Sequence, residues 1–178
     1  VRAVRFDTTC GPIAFNVWDT VGQERFGSLR DGFYVNSQAA ILMFDLTVRA
    51  SYRNIPTWYR DVVRICGRVP TVLVGNKADV DGLGREVQRQ MVTIHRRKGL
   101  PYYEVSAKTM FNIHLPFQCL ARMLLGQPEL RFVGDTASFA AAIPDLSLRT
   151  RDAAVLLRAQ EVPVPDDADN LCSTGEAA

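Results

Sequence analysis

The sequence predicts an α/β protein built on a doubly wound, largely parallel sheet, and three observations carry that prediction. Apolar runs of strand length alternate with segments of helical period. Two runs, Ala39 to Phe44 and Val72 to Val74, are apolar throughout, as strands covered on both faces are. Short polar words, Asp19-Thr20-Val21-Gly22-Gln23, Asn76-Lys77-Ala78-Asp79 and Ser106-Ala107-Lys108, each follow an apolar run. Open sheets of this class bind ligands at the carboxyl ends of their strands, so these words form the candidate site.

In chain order, Val4 and Phe6 lie on an opening strand that turns at Cys10-Gly11. Ile13, Phe15 and Val17 alternate on the next strand, which makes a hairpin. After the run Ala39 to Phe44, the residues Tyr52, Ile55, Tyr59, Val62 and Cys66 recur at helical spacing, with Ser51 as the expected cap. Val72 to Val74 leads into the Asn-Lys-Ala-Asp word, and Val87, Met91 and Ile94 predict an amphipathic helix. Tyr102 to Val105 predicts the final strand, and Ile113, Phe117, Leu120 and Leu124 a helix with Pro116 in its first turns.

The second and third words describe a pocket for guanine. A carboxylate placed like that of Asp79 accepts two hydrogen bonds, from the ring N–H and the exocyclic amine of guanine, a donor pair that adenine lacks. A buried polar group left unpaired costs about 1 to 3 kcal/mol, more when charged, so such a site rejects adenine. Asn76 is expected to brace the loop, and Lys77 and Lys108 to lay their aliphatic stems along the faces of the base. The N–H of Ala107 is the expected donor to the guanine carbonyl, beside Ser106.

The first word reads as the phosphate side. A carboxylate at a strand end, Asp19, suits magnesium held through water, and Gly22 lets a backbone N–H approach a terminal phosphate. Gln23 is the candidate for orienting a water for in-line attack. Each word alone has an ordinary reading: Asn-Lys-x-Asp occurs by chance, Ser-Ala-Lys is three common residues, and the first word reads as a strand followed by a turn. Their order after successive apolar strands is what makes the joint reading specific.

With these residues in place, the chain resembles the Ran branch of the small GTPases. The resemblance rests on Gly11-Pro12-Ile13, Phe15-Asn16-Val17-Trp18-Asp19-Thr20, Phe26-Gly27, Leu29-Arg30-Asp31-Gly32 and His95-Arg96-Arg97-Lys98. It runs from about Val1 to Val133, so residues 1–133 are expected to form the GTPase domain and residues 134–178 a tail. The tail is expected to hold a helix at about residues 146–160 and a weakly acidic end at Asp166, Asp167 and Asp169. The resemblance implies GTP or GDP and Mg2+ as ligands, and GTP hydrolysis as the family activity. The implied partners are importin- or exportin-type transport receptors, Ran-binding proteins, an exchange factor and a GTPase-activating protein, in the nucleus and cytoplasm.

No Gly-x-x-x-x-Gly-Lys-Ser/Thr occurs in the sequence, although that loop cradles phosphates with backbone N–H groups and a lysine. Gly22 and Gly27 have the spacing, but Ser28-Leu29 follows where Lys-Ser/Thr is needed. The resemblance places the missing loop, with the first strand, first helix and most of switch I, before Val1. The expectation is therefore a truncated or incompletely recorded product with impaired nucleotide binding. The family sheet would lack its central strand, leaving Ile13 to Trp18 and Ala39 to Phe44 without a shared neighbour and with open edges that invite aggregation. Val21 adds β-branched bulk beside the phosphate position.

The composition, 178 residues with 47% hydrophobic and net charge +2, is that of a single globular domain with a tail. No apolar run reaches the ~18 residues needed to span a bilayer. Cys10, Cys66, Cys119 and Cys172 show no metal-ligand or redox spacing and read as free thiols. Cys172 lies too far from the end for a prenylation box, so no membrane anchor is expected.

The basic run Arg96-Arg97-Lys98, near Arg85 and Arg89, suits a solvated helix end, where the dipole favours cations. The resemblance implies a partner-binding role for it, against acidic receptor surfaces or the chain's own acidic tail. No aromatic residues interleave with it as a stacking platform, which argues against nucleic acid. Three classes of function follow: a Ran-type GTPase switch, a nucleotide-independent interaction module that keeps a receptor-binding surface, and a non-productive gene fragment.

Overall fold

A computed structural model describes residues 1–20, 32, 34–134 and, as backbone, 154–159. The opening hairpin pairs β1 (Arg2–Thr8) with β2 (Gly11–Asp19) antiparallel, in a register that sets Val4 opposite Phe15 and Phe6 opposite Ile13. Alternation drives this pairing, because Val4, Phe6, Ile13, Phe15 and Val17 are buried while the residues between them are exposed on β1 and half-buried on β2. Thr8 closes the turn, its hydroxyl donating to the Gly11 carbonyl at 2.6 Å and accepting the Cys10 N–H at 3.0 Å.

β3 (Ala39–Asp45) and β4 (Thr71–Asn76) are parallel, and β5 (Tyr102–Glu104) adds parallel to β4. Both faces of this part of the sheet are covered, as the unbroken apolar runs require. Ala40, Leu42 and Phe44 pack with Trp58, Ile55, Val62 and Leu73 on one side. Ile41, Met43, Val72 and Val74 pack with Phe117 and Leu120 on the other.

Helix α1 (Arg49–Cys66) covers the first face and buries Ser51, Ile55, Trp58 and Val62, a stripe at helical spacing. The N-cap position belongs to Val48, not Ser51. Ser51 lies inside the first turn, where its hydroxyl donates to the Val48 carbonyl at 2.6 Å and accepts the Asp45 N–H at 2.9 Å. Residues 82–98 do not form one amphipathic helix. They form two short 3-10 turns, Gly82–Gly84 and Arg89–Met91, and a single short helix α2 (Ile94–Lys98). Burial explains the break: Val87, Val92 and Ile94 are sunk in the core while Met91 is exposed, a spacing that no continuous helix can satisfy.

Helix α3 (Leu115–Leu125) covers the opposite face, with Pro116 in its first turn and Gly126 closing it in the left-handed region at φ 59°. The following residues return to the hairpin. Phe132 stacks on Phe6 with ring centroids 4.2 Å apart, and the Val133 N–H donates to the Asp7 carbonyl at 2.7 Å.

A sixth strand, β6 (Ala154–Ala159), lies between β2 and β3, so the sheet order is β1-β2-β6-β3-β4-β5. It is antiparallel to both neighbours, with Val155 opposite Asp19 and Ile41, and Leu157 opposite Val17 and Ala39. Two expectations are corrected by this strand. Residues 154–159 belong to no helix, and β2 and β3 do share a neighbour, one drawn from the tail. The rest of the span 146–160, and the acidic end at Asp166, Asp167 and Asp169, lie outside the described residues. No helix among the described residues is long and apolar enough to cross a membrane.

Candidate functional site

The site lies at the carboxyl ends of β4 and β5, where the parallel ladder stops and loop residues take over. Asn76 is the last residue of β4 and is buried, with its side-chain oxygen accepting N–H groups from Lys77 at 2.7 Å and Ala107 at 3.1 Å. One amide thereby joins two loops. Lys77 follows with φ 68°, a left-handed conformation that costs a non-glycine residue about 1 to 2 kcal/mol. The bond to Asn76 and an ion pair offset that cost, the pair joining Lys77 Nζ to Asp45 Oδ2 at 2.5 Å.

Asp79 is exposed on the loop after β4, and its Oδ1 accepts the Ser106 hydroxyl at 2.5 Å. That bond, with weaker help from Lys108 and Lys77, outweighs slight desolvation and holds the Asp79 carboxyl below its ordinary range. The group is therefore an anion at neutral pH, ready to accept. Ser106 is fully buried and also accepts the Thr109 N–H at 3.1 Å, so it is braced in turn. The Ala78 N–H donates to the Val105 carbonyl at 2.9 Å, a further tie between the two loops.

The expected role of Ala107 changes in this arrangement. Its N–H is already engaged by Asn76, whereas the N–H of Lys108, one residue on, has no protein acceptor among the described residues. Lys108 itself is exposed. Sequence reading also passed over Asp45 and Thr47. The available signal was the position of Asp45 at the carboxyl end of a buried strand, directly opposite Asn76 in the parallel register.

Asp19 ends β2 and is exposed, one strand removed from β3 across β6. Gly22 and Gln23 lie outside the described residues. Among the described residues, no group of three or more His, Cys, Asp or Glu is placed to hold a metal ion. A lone exposed carboxylate such as Asp19 fits a magnesium ion that keeps most of its waters and takes its other oxygens from phosphate.

The basic run sits on α2, where Arg96, Arg97 and Lys98 are all exposed and Lys98 Nζ lies 5.8 Å from the ring centre of Tyr59. Arg85 is not part of that surface. Its guanidinium pairs with Glu104 at 2.6 Å, and the two side chains are only 14% and 17% exposed. His95 stacks on Tyr102 at 5.2 Å, and burial together with Arg96 holds its imidazole below the ordinary range. Cys10 and Cys66 are free thiols.

Parallel strands covered by helices on both faces, with an anionic acceptor and a braced asparagine at the strand ends, define a nucleotide-binding α/β domain. The model of the Ras family matches residues 2–126. The chain belongs to the Ras family, the small GTPases, whose domains act as GTP-binding switches with Mg2+ as the accompanying ion.

Proposed function

We propose that this chain is a guanine-nucleotide switch of the Ran type, in which the loops after β4 and β5 read the base. The observation that carries the guanine reading is the Asp79–Ser106–Asn76–Ala107 set, which ties the loops after β4 and β5 together and fixes a carboxylate beside a turn of the backbone. Asp79 accepts from the guanine ring N–H and amine, Lys108 N–H donates to the guanine carbonyl, and the stems of Lys77 and Lys108 flank the ring.

On the phosphate side, Asp19 would hold magnesium through water, Gly22 would offer its N–H to the terminal phosphate, and Gln23 would orient the attacking water. The Ran assignment within the family rests on the sequence words Gly11-Pro12-Ile13, Phe15 to Thr20 and His95 to Lys98. It brings with it nucleocytoplasmic transport, with Arg96, Arg97 and Lys98 meeting acidic surfaces of importin- or exportin-type receptors.

Titration with a fluorescent GDP, with and without Mg2+ and in competition with GDP or ADP, tests the proposal. Guanine-selective binding that is abolished by Asp79→Asn supports it, whereas equal competition by ADP overturns the guanine reading. Receptor binding that is indifferent to nucleotide would favour the interaction module over the switch.

A further inference from the structure

The carboxylate of Asp45 is held in place from several directions. It is 12% exposed, and its two oxygens are divided between two tasks. Oδ1 accepts the Thr47 N–H at 2.8 Å and the Thr47 hydroxyl at 2.6 Å, while Oδ2 faces Lys77 Nζ at 2.5 Å. The backbone beneath is equally fixed, because the Asp45 N–H donates to Ser51 Oγ at 2.9 Å and the Ser51 hydroxyl lies 3.1 Å from the Asp45 carbonyl. Lys77 is the opposite kind of residue: 47% exposed, with a flexible four-carbon stem whose direction is free unless its tip is anchored.

We propose that Asp45 is a positioning residue for guanine binding: by anchoring the Lys77 ammonium, it holds the lysine stem flat as one wall of the base pocket. The ligand that reads this wall is a guanine nucleotide, and the inference rests on the guanine reading above. Asp45 touches no part of the nucleotide. It acts through Lys77, and an unanchored stem has to be ordered by the base itself, which raises the rate of release.

The test measures dissociation of a fluorescent GDP from the full chain carrying Asp45→Asn, Lys77→Met or both, with thermal unfolding in parallel. Asp45→Asn keeps an oxygen for Thr47 and removes the anchor. Lys77→Met keeps an apolar stem and removes the tip. Each single change is expected to speed release about tenfold, one decade in affinity. The double variant is expected to be no faster than either, because both remove the same constraint. A purely structural role of Asp45 would move thermal stability and give additive rates, and would overturn the proposal. Lys77→Met binding as tightly as the original chain would overturn it as well, even if Asp45→Asn failed to fold. If the unsubstituted chain does not bind GDP, the guanine reading and this inference fall together. If it binds and the variants match it, only this inference falls. A protected Lys77 ammonium resonance without nucleotide, lost in Asp45→Asn, is the expected independent sign of the anchor, and its absence from the original chain would count against it.

Discussion

Ser106 donates its hydroxyl hydrogen to Asp79 Oδ1 at 2.5 Å, joining two loops that are 27 residues apart in the chain. The bond lowers the Asp79 pKa, so the stabilisation it brings is present above the ordinary carboxyl value of 3.8 and is lost as pH falls through the depressed folded value. Ser106→Ala removes this bond and leaves the Thr109 N–H without its acceptor. A loss of about 1 kcal/mol is expected at neutral pH, with Asp79 being exposed and the contribution correspondingly modest. The gap between the two proteins should narrow in acid, as the Asp79 part is lost and the Thr109 part remains. Urea unfolding at neutral and acid pH, with a carboxyl titration of Asp79 by NMR, checks both parts.

Gly75 lies where three elements meet. A Cβ there would come within 2.9 Å of Leu46 Cδ2 and 2.9 Å of the Tyr102 hydroxyl oxygen, closer than real Cβ contacts come. Tyr102 cannot simply swing away, since its hydroxyl donates to Glu104 at 2.9 Å and its ring stacks on Phe44 with centroids 6.2 Å apart. Gly75→Ala is therefore expected to destabilise by about 1 to 3 kcal/mol through overpacking. Since Asn76 is the next residue, guanine-nucleotide affinity should fall as well. Denaturant unfolding and fluorescent-nucleotide titration of the same variant separate the two effects.

Arg85 and Glu104 form an ion pair with little solvent around it, and the guanidinium also donates to the Val87 carbonyl at 3.1 Å. Removing one partner leaves a charge with poor solvation and no counterion. Arg85→Met is expected to cost about 3 kcal/mol, and Glu104→Gln in the same chain should restore part of it, because the stranded carboxylate is then gone. Burial and Glu104 also push the Tyr102 phenol far above its ordinary range, so Tyr102 stays protonated and donating as Glu104 accepts. Thermal unfolding of the two single variants and the double variant measures the coupling.

Strand β6 completes the middle of the sheet, with Leu156 opposite Trp18 on one side and Ala40 on the other. Leu156→Pro removes a backbone donor from a strand with neighbours on both sides, a position proline does not tolerate. A carbonyl left unpaired inside the sheet costs about 1 to 3 kcal/mol, and at this chain length each kcal/mol lowers the melting temperature by about 2 to 4 °C. Amide hydrogen exchange should show loss of protection in β2 and β3 but not in β5. Uniform protection across the sheet in the variant would contradict the strand order.

Much of the site was legible because its parts are local. Asn76 to Asp79 runs from the last residue of β4 into the loop after it, and Ser106 to Lys108 follows β5 in the same way, so residue type and order carry most of the chemistry. Burial was legible in the same way for β3, where both faces of Ala39 to Phe44 are apolar and both are covered. The segment with Val87, Met91 and Ile94 was misread because apolar spacing matched a helix while burial selected Val87, Val92 and Ile94. Arg85 sits close to a basic run in sequence yet points to Glu104, and no local pattern records that choice.

By itself, the sequence determined the order of strands and helices from Arg2 to Leu125 apart from the break within residues 82–98, the two faces of β3 and the identity of the groups at the strand ends, all of which follow from side-chain type and short-range spacing. Only the tertiary structure decided that residues 154–159 pair between β2 and β3, that Ala107 is already committed to Asn76, and that Asp45 anchors Lys77. These contacts join residues far apart in the chain, and their energy depends on backbone edges and charges meeting in space. A short apolar segment carries no mark of which edge it will meet or in which direction it will run.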